Sequence, residues 1–460
     1  MSGNYLFKGE KMLKKNQELE ARIVDLTYEG KGVAKVEDYP LFIEDALPGE
    51  VVKLLVLKAN KNYGFAKVLE YITTSSQRRE NVEKKYLQTG IAPLQHLSYD
   101  GQLLFKKQQV INCLHKFKLN VHVDNTSGMA DPSHYRNKAQ VPVRKQDNHL
   151  VTGFYKKKSH DFIALTDFYL HETGIDEALQ SVCRILDKYR ISAYNEQNHE
   201  GILRHIVVRK GHYTKQLMIT LVTRKSKLFK GEQLAQEIIE QVPNVVSVMQ
   251  NVNPDKTNVI LGKETKLLAG DSYLVDTMLG QTFHISAPAF YQVNTEQAEK
   301  LYHKALELAD LKPTDIAIDA YCGIGTITLA IAPHVKKVYG VEVVPDAILD
   351  AKKNAQLNNI NNVEFTCNKA ETQLQIWQQS GINPNVIFVD PPRKGLDHTF
   401  IETLRILKPR KIVYISCNPA TFARDIDKLR DLYDLSTVYP YDLFPETTHV
   451  EVVSCLELKA

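Results

Sequence analysis

The sequence predicts a multidomain α/β chain, with a small N-terminal β-barrel, a central α+β domain and a Rossmann-like α/β domain at the C-terminal end. Three observations carry this. Residues 17–72 hold short apolar or alternating runs broken by Gly and Pro turns. Residues 133–270 mix strand and helix patterns in a basic background. From about residue 285, strands and helices alternate regularly, the rhythm of parallel βαβ units. With 460 residues the chain has room for several domains at roughly 150 residues each, and needs no disulfides or metals to build its cores.

The barrel is expected over 14–72. ELEARIVDLT, VVKLLVLKAN and FAKVLEYI read as strands, separated by Glu29-Gly30-Lys31-Gly32, Leu47-Pro48-Gly49-Glu50 and Asn62-Tyr63-Gly64. Lys31, Lys35, Lys58, Lys61 and Tyr63 would share one rim, available to phosphates and bases. The central domain is expected over 73–284. It starts with a polar stretch and an amphipathic helix, DGQLLFKKQQVINCLHKF. HYRNKAQVPVRK, HIVVRK and KQLMITLVTRKSK follow as strands, with EALQSVCRILDKYR and GEQLAQEIIEQV as helices. Arg136, Lys138, Arg144 and Lys156–Lys158 make this part basic. The last domain is expected over 285–460.

Charge separates the two halves. Residues 271–460 carry 18 basic and 24 acidic residues, a balance of −6, while residues 1–270 carry 40 and 30, a balance of +10. The overall +4 therefore conceals a basic portion suited to a polyanion. No stretch approaches the roughly 18 apolar residues of a membrane span. The start, MSGNYLFKGEKMLKKNQ, lacks the apolar core of a secretory leader. Six scattered cysteines with no CxxC pair argue against a disulfide framework or structural zinc and for a reducing cytoplasm.

The ligand site is read from strand ends. Ile316-Ala317-Ile318-Asp319-Ala320 is a short apolar strand, followed by the turn Tyr321-Cys322-Gly323-Ile324-Gly325 and a helix. The next strand, Lys337–Glu342, ends in an acid that can accept both hydroxyls of a ribose. Position 328 is Thr rather than the third glycine of a dinucleotide fingerprint, and no P-loop is present. The pattern resembles the first two motifs of class I S-adenosylmethionine methyltransferases. Two more strands end in Asp390-Pro391-Pro392-Arg393-Lys394-Gly395 and in Ser416-Cys417-Asn418-Pro419. In an open α/β sheet these loops emerge at the edge of the Gly turn, so Asp390 and Cys417 should face the same pocket. Cys322 is expected to form a pocket wall.

A cysteine at that edge offers a nucleophile. Uracil C5 is inert until a thiolate adds to C6 and turns C5 into a carbanion that can take a sulfonium methyl. The combination of Phe290-Tyr291-Gln292-Val293-Asn294, Asp390-Pro391-Pro392-Arg393, and Ser416-Cys417-Asn418-Pro419-Ala420-Thr421 with Arg424-Asp425 resembles the RNA uracil-5 methyltransferases. The resemblance extends over the whole chain, and the first barrel resembles a TRAM domain, most typical of the 23S ribosomal RNA branch.

The resemblance implies S-adenosylmethionine as cofactor, held by Gln292, Tyr321, Glu342 and Asp390. It matches Cys417 to the nucleophile and Glu451, in Thr448-His449-Val450-Glu451, to the base that removes the C5 proton. Phe290 matches an aromatic beside a flipped-out uridine, core packing being the alternative. Arg136 and Lys138 are candidate RNA contacts. The helix near 99–118 is implied to pack with the catalytic domain. Many relatives hold an iron–sulfur cluster on a C-G-G-C motif. Here Thr89-Gly90-Ile91-Ala92 stands in that place and no cysteine precedes 113, so no cluster is expected. The expectation is a cytoplasmic, monomeric enzyme making 5-methyluridine in a single-stranded loop of 23S rRNA. Three alternatives remain open: the same chemistry on the tRNA T-loop, an amino methyltransferase using Asp-Pro-Pro, and a non-catalytic RNA-binding assembly factor.

Overall fold

A computed structural model describes residues 13–460. Residues 1–12, which include most of the start read above for a secretory leader, lie outside the described residues. Five strands, β1 (Glu18–Leu26), β2 (Gly32–Val36), β3 (Tyr39–Glu44), β4 (Val51–Ala59) and β5 (Gly64–Thr73), close into a barrel in the order β1-β2-β3-β5-β4. Alternation makes the core. Val52, Leu54 and Val56 of β4 point inward with Ile23, Ala34, Leu41 and Ile43, and every second residue faces out. On the outer surface the rings of Phe42, Tyr63 and Phe65 lie within 5.7–5.9 Å of one another, with Lys31 5.8 Å from the Phe65 ring.

After the barrel come α1 (Lys84–Thr89) and α2 (Tyr99–Lys116). Between them, where the related motif would place cysteines, Ala92 and Leu94 are fully buried, as is Tyr86 of α1. One compact unit takes the chain up to Gln102 together with Glu446–Thr448. The other takes Leu103–Pro445 and His449–Ala460.

That second unit contains two large sheets. The first uses β6 (Lys138–Gln146), β7 (His149–Tyr155), β8 (Phe162–Ala164), β9 (Leu203–Lys210), β10 (Leu217–Thr223), β11 (Val245–Val252) and β12 (Glu264–Gly270). Its order is β12-β11-β10-β9-β6-β7-β8, with helices α3 (Ile175–Lys188) and α4 (Gly231–Gln241) between strands in the chain. A hairpin of β13 (Leu274–Met278) and β14 (Gln281–Ile285) follows.

The second sheet is built by α5 (Thr295–Ala309), β15 (Ile316–Asp319), α6 (Thr326–Ile331), β16 (Lys337–Glu342), α7 (Pro345–Leu357) and β17 (Val363–Cys367). The chain continues through α8 (Ala370–Gln379), β18 (Val386–Val389), α9 (His398–Leu407), β19 (Lys411–Ser416) and α10 (Pro419–Asp427). It ends with β20 (Tyr433–Leu435), β21 (Tyr439–Tyr441) and β22 (Glu451–Leu458). The order is β17-β16-β15-β18-β19-β22-β20, with β21 beside β22. Because side chains alternate along a strand, the sheet feeds two cores. Ala317, Phe388 and Val413 enter one cluster, while their neighbours Ile318, Ile387 and Ile412 enter the other. Val110 and Leu114 of α2 belong to the second cluster.

The sheet departs from the expected all-parallel rhythm in one respect. β22 runs antiparallel to β19, and β20 and β21 run antiparallel to β22. The chain returns through the segment after β21 rather than through a crossover helix, so the beginning of β22 lies beside the end of β19.

Candidate active site

The parallel strands β15, β16, β18 and β19 all point the same way, so their carboxyl ends gather at one edge. At the end of β15, Asp319 is buried, and burial pushes its carboxyl up to about 6. Thr328 Oγ1 donates to its Oδ2 at 2.6 Å, while Oδ1 is buried with no partner. The turn that follows reaches α6 through Gly325, whose φ of +94° is a conformation that side-chain-bearing residues rarely adopt. At the end of β16, Glu342 Oε1 accepts the backbone N–H groups of Val343 (2.7 Å) and Val344 (2.9 Å). That fixes the carboxylate and leaves Oε2 for a ligand hydroxyl. Tyr321 stands on the turn, half-buried, its ring 6.2 Å from Phe400.

Asp390, one residue past β18, is pushed up to about 7 by burial and then by the charge of Asp319. Gln292 is nearly buried, and its Nε2 donates to the Tyr302 hydroxyl at 3.1 Å. Tyr302, on α5, was not marked by the sequence. Its phenol is held well up by burial and then by the charge of Asp390, against the bond from Gln292.

Cys417 follows β19 and is half-buried. Ser416 of β19 pairs with Val452 of β22, and Cys417 and Glu451 are the next residues beyond that pair. Burial pushes the Cys417 thiol up to about 11, with Glu451 and Asp390 adding to it and Arg393 opposing. Glu451 is 6% exposed, and burial followed by Asp390 pushes it up to about 8, again against Arg393. Arg393 is therefore the cation of this edge, a second group the sequence left without a role. Its Nη2 lies 3.3 Å from His449 Nε2, and burial, then Arg393, pushes the His449 ring down to about 4.

The two loops are clipped together by the start of α10. Asn418 Nδ2 donates to the Arg393 carbonyl (2.9 Å) while its Oδ1 caps the helix at Ala420 N (3.1 Å). Thr421 Oγ1 also reaches the Arg393 carbonyl (3.2 Å), and Arg424 Nη2 donates to that of Lys394 (2.9 Å). Buried Asp425 accepts from Leu396 N (2.7 Å) and Tyr414 Oη (2.8 Å). Gly395 fits here because its φ is +76° and a Cβ would lie 2.5 Å from Asp425 Oδ2. The Asn-Pro-Ala-Thr and Arg-Asp residues are thus the frame that ties the loop after Asp390 to the segment after Cys417.

Phe290 is 71% exposed between buried Ala289 and Tyr291, which excludes core packing as its role. Arg136 and Lys138 flank Asn137, whose N–H donates to the Val293 carbonyl (2.8 Å) and whose Nδ2 donates to the Gln292 carbonyl (3.0 Å) and Thr295 Oγ1 (3.1 Å). These bonds bring both basic residues beside the Phe-Tyr-Gln-Val-Asn segment. Cys322 is buried within the turn, and burial holds its thiol well up. Among the described residues, no group of three or more His, Cys, Asp or Glu is placed to hold a metal ion. No described helix is long and apolar enough to cross a membrane.

A Gly turn after the first strand of an open α/β sheet, with acids at the neighbouring strand ends, defines a class I S-adenosylmethionine-dependent methyltransferase domain. The residues fit that cofactor. Asp319 Oδ1 is a buried acceptor in want of a donor, Glu342 has an uncommitted oxygen, and the edge is rich in acids where a sulfonium and an ammonium must sit.

The family model described as tRNA (Uracil-5-)-methyltransferase matches residues 98–459, and the TRAM domain model matches residues 13–69. An uncharacterized RNA methyltransferase of Enterococcus faecalis is 50% identical over 447 residues, 96% of this chain and 98% of that protein. One from Streptococcus mutans is 48% identical over 448 residues, 97% of this chain and 99% of that protein. A Pyrococcus abyssi tRNA (uracil-54, C5)-methyltransferase, solved in complex with S-adenosyl-L-homocysteine, is similar with a TM-score of 0.76 and 25% identity. It covers 95% of this chain and 100% of its own. The chain belongs to the RNA uracil-5 methyltransferase family and carries a TRAM domain at its N-terminal end.

Proposed function

We propose that this protein methylates C5 of a uridine in RNA through a covalent adduct on Cys417, with 23S rRNA as substrate. The observation that carries the reading is that Cys417 and Glu451 are the residues next to the last pair of β19 and β22, with the Glu451 charge acting on the Cys417 thiol. Bound S-adenosylmethionine supplies an electrophilic methyl group, held by Gln292, Tyr321, Glu342 and Asp390. The Cys417 thiolate forms a bond to uracil C6 and the C5=C6 pair moves to C5, which would take the methyl as the cofactor's S–CH3 bond breaks and leaves its pair on sulfur as the neutral thioether. Glu451 then accepts the C5 proton. The electrons left behind restore C5=C6 and expel the thiolate. Arg393 favours the thiolate electrostatically, and a sulfonium cation among the acids would do the same. Phe290 offers an exposed face for stacking a base swung out of its helix. Arg136 and Lys138 would meet the backbone.

The barrel supports the ribosomal reading by its resemblance to the TRAM-bearing branch. A transfer-RNA reading is favoured by a different observation. The Pyrococcus abyssi enzyme covers 95% of this chain, so its likeness extends into the barrel, which does not by itself separate the two substrates. Mass mapping of 5-methyluridine in RNA from a strain lacking this protein decides between them. Loss from 23S rRNA is expected, at one position or more. Loss from tRNA alone would overturn the ribosomal substrate while leaving the chemistry intact.

A further inference from the structure

Lys138 on β6 and Arg209 on β9 are direct partners across an antiparallel pair, so their side chains share one face. Like charges placed directly opposite each other destabilise a sheet. Arg209 is only 3% exposed, and its Nη2 donates to the Ala289 carbonyl at 2.5 Å. Arg136 adds a third cation, its Nε bonded to the Lys138 carbonyl at 2.9 Å.

The other buried cations of the described residues are met: Lys106 pairs with Asp442, and the Arg204 guanidinium donates to the carbonyls of Asn253, Asp255 and Thr257. Among the described residues no carboxylate pairs with Arg136, Lys138 or Arg209, and the Lys138 ammonium makes no hydrogen bond. Burial, then Arg209 and Arg136 beside it, pushes that ammonium down to about 7. A cluster of this kind is held at a cost to stability unless an anion completes it.

Its position says which anion. Arg209 grips the carbonyl immediately before exposed Phe290, and Asn137, between Arg136 and Lys138, grips the carbonyl of Gln292. We propose that Lys138 and Arg209, with Arg136 beside them, form an oxyanion subsite that takes a phosphodiester of the RNA strand next to the uridine being methylated. This rests on the RNA methylation proposed above. Half-buried Lys138 and Arg136 would meet the phosphodiester oxygens, with buried Arg209 adding its charge from behind, and the strand carrying a base on Phe290 must pass close by.

The test is binding of a uridine-bearing stem-loop oligoribonucleotide by the full chain, wild type against Lys138→Gln and Lys138→Arg, over a series of salt concentrations. Lys138→Gln should weaken binding about tenfold and flatten the salt slope by about 0.7, one phosphate contact on a single strand. Lys138→Arg should keep the slope. An unchanged slope in Lys138→Gln overturns the subsite. So does a loss of S-adenosylhomocysteine affinity in place of RNA affinity, which would put the cofactor's carboxylate on the pair. If the wild type neither binds nor methylates RNA, the parent reading fails and the subsite with it. If the wild type does both and the slope is unmoved, only the subsite fails.

Discussion

Cys417 follows Ser416, whose strand partner Val452 is next to Glu451, the first residue of β22, and the Glu451 charge acts on the Cys417 thiol. An antiparallel return strand is what permits this, since its N-terminal end falls at the carboxyl edge of its parallel neighbours. The proposed nucleophile and base are each held by the residue next to them in the Ser416–Val452 pair, so their spacing is tied to the sheet.

The first prediction concerns the nucleophile's proton. With its thiol pushed up to about 11, Cys417 of the free protein should be alkylated slowly at neutral pH and faster as pH rises toward that value. Arg393→Ala removes the opposing charge and should move the profile to higher pH, with alkylation at neutral pH slowing about tenfold for every pH unit the profile moves. Mass spectrometry of the peptide containing residue 417 reads both, and an Arg393→Ala profile unchanged or moved to lower pH would contradict the assigned role.

Glu451 is predicted to act after methyl transfer. Glu451→Ala should transfer about one methyl per enzyme and then stall as an adduct stable to denaturation. In the wild type, release should accelerate with pH as Glu451 loses its proton, toward a plateau above about 8. Rapid-quench single turnovers measure it. Normal release by Glu451→Ala would remove the base from the scheme.

Cofactor binding should release protons. Burial raises Asp319 to about 6, Asp390 to about 7 and Glu451 to about 8, so the native protein holds protons that the unfolded chain has lost. Stability of the free protein should therefore fall as pH rises from the ordinary carboxylate range near 4, where the unfolded acids titrate, to about 8. A cation bound at that edge favours the ionised acids and draws their protons off. S-adenosylmethionine should accordingly bind more tightly as pH rises from about 6 to about 8. Calorimetry in two buffers of different ionisation enthalpy should detect protons leaving, and uptake instead of release would refute the electrostatic picture.

Lys106 and Asp442 form a fully buried ion pair, and Lys106 Nζ also donates to the Phe444 carbonyl at 3.0 Å. They anchor the segment that leads into Glu451. Asp442→Asn removes the buried carboxylate that faces the lysine charge and should cost about 3–5 kcal/mol in denaturant unfolding. A loss below about 1 kcal/mol would mean the pair is not what holds this segment.

The parallel part of the site was legible because each strand end carries its own local signature: an apolar run, then Gly-x-Gly, an acid, or Asp-Pro-Pro. Glu451 carries none, because its position depends on a strand that pairs with β19 from the far end of the chain, and only resemblance singled it out. Tyr302 and Arg209 were invisible for a related reason. One lies on an ordinary amphipathic helix and meets Gln292 of the loop just before it; the other lies in an apolar strand, and its partner, Lys138, comes from a distant segment. Lys106 breaks the helical pattern outright, a charge on the buried stripe with Val110 and Leu114, tolerated because Asp442 meets it. The order of the central sheet likewise rests on pairings across long sequence distances, which local pattern does not encode.

The most direct measurement is trapping on RNA whose target uridine is replaced by 5-fluorouridine, in which fluorine occupies the place of the proton that Glu451 removes. With S-adenosylmethionine, the wild type should form a methylated covalent complex that survives denaturation and maps to Cys417, and Cys417→Ala should form neither adduct nor product. Methylation of uridine RNA by Cys417→Ala at the wild-type rate, with no trapped complex in either protein, would contradict the mechanism.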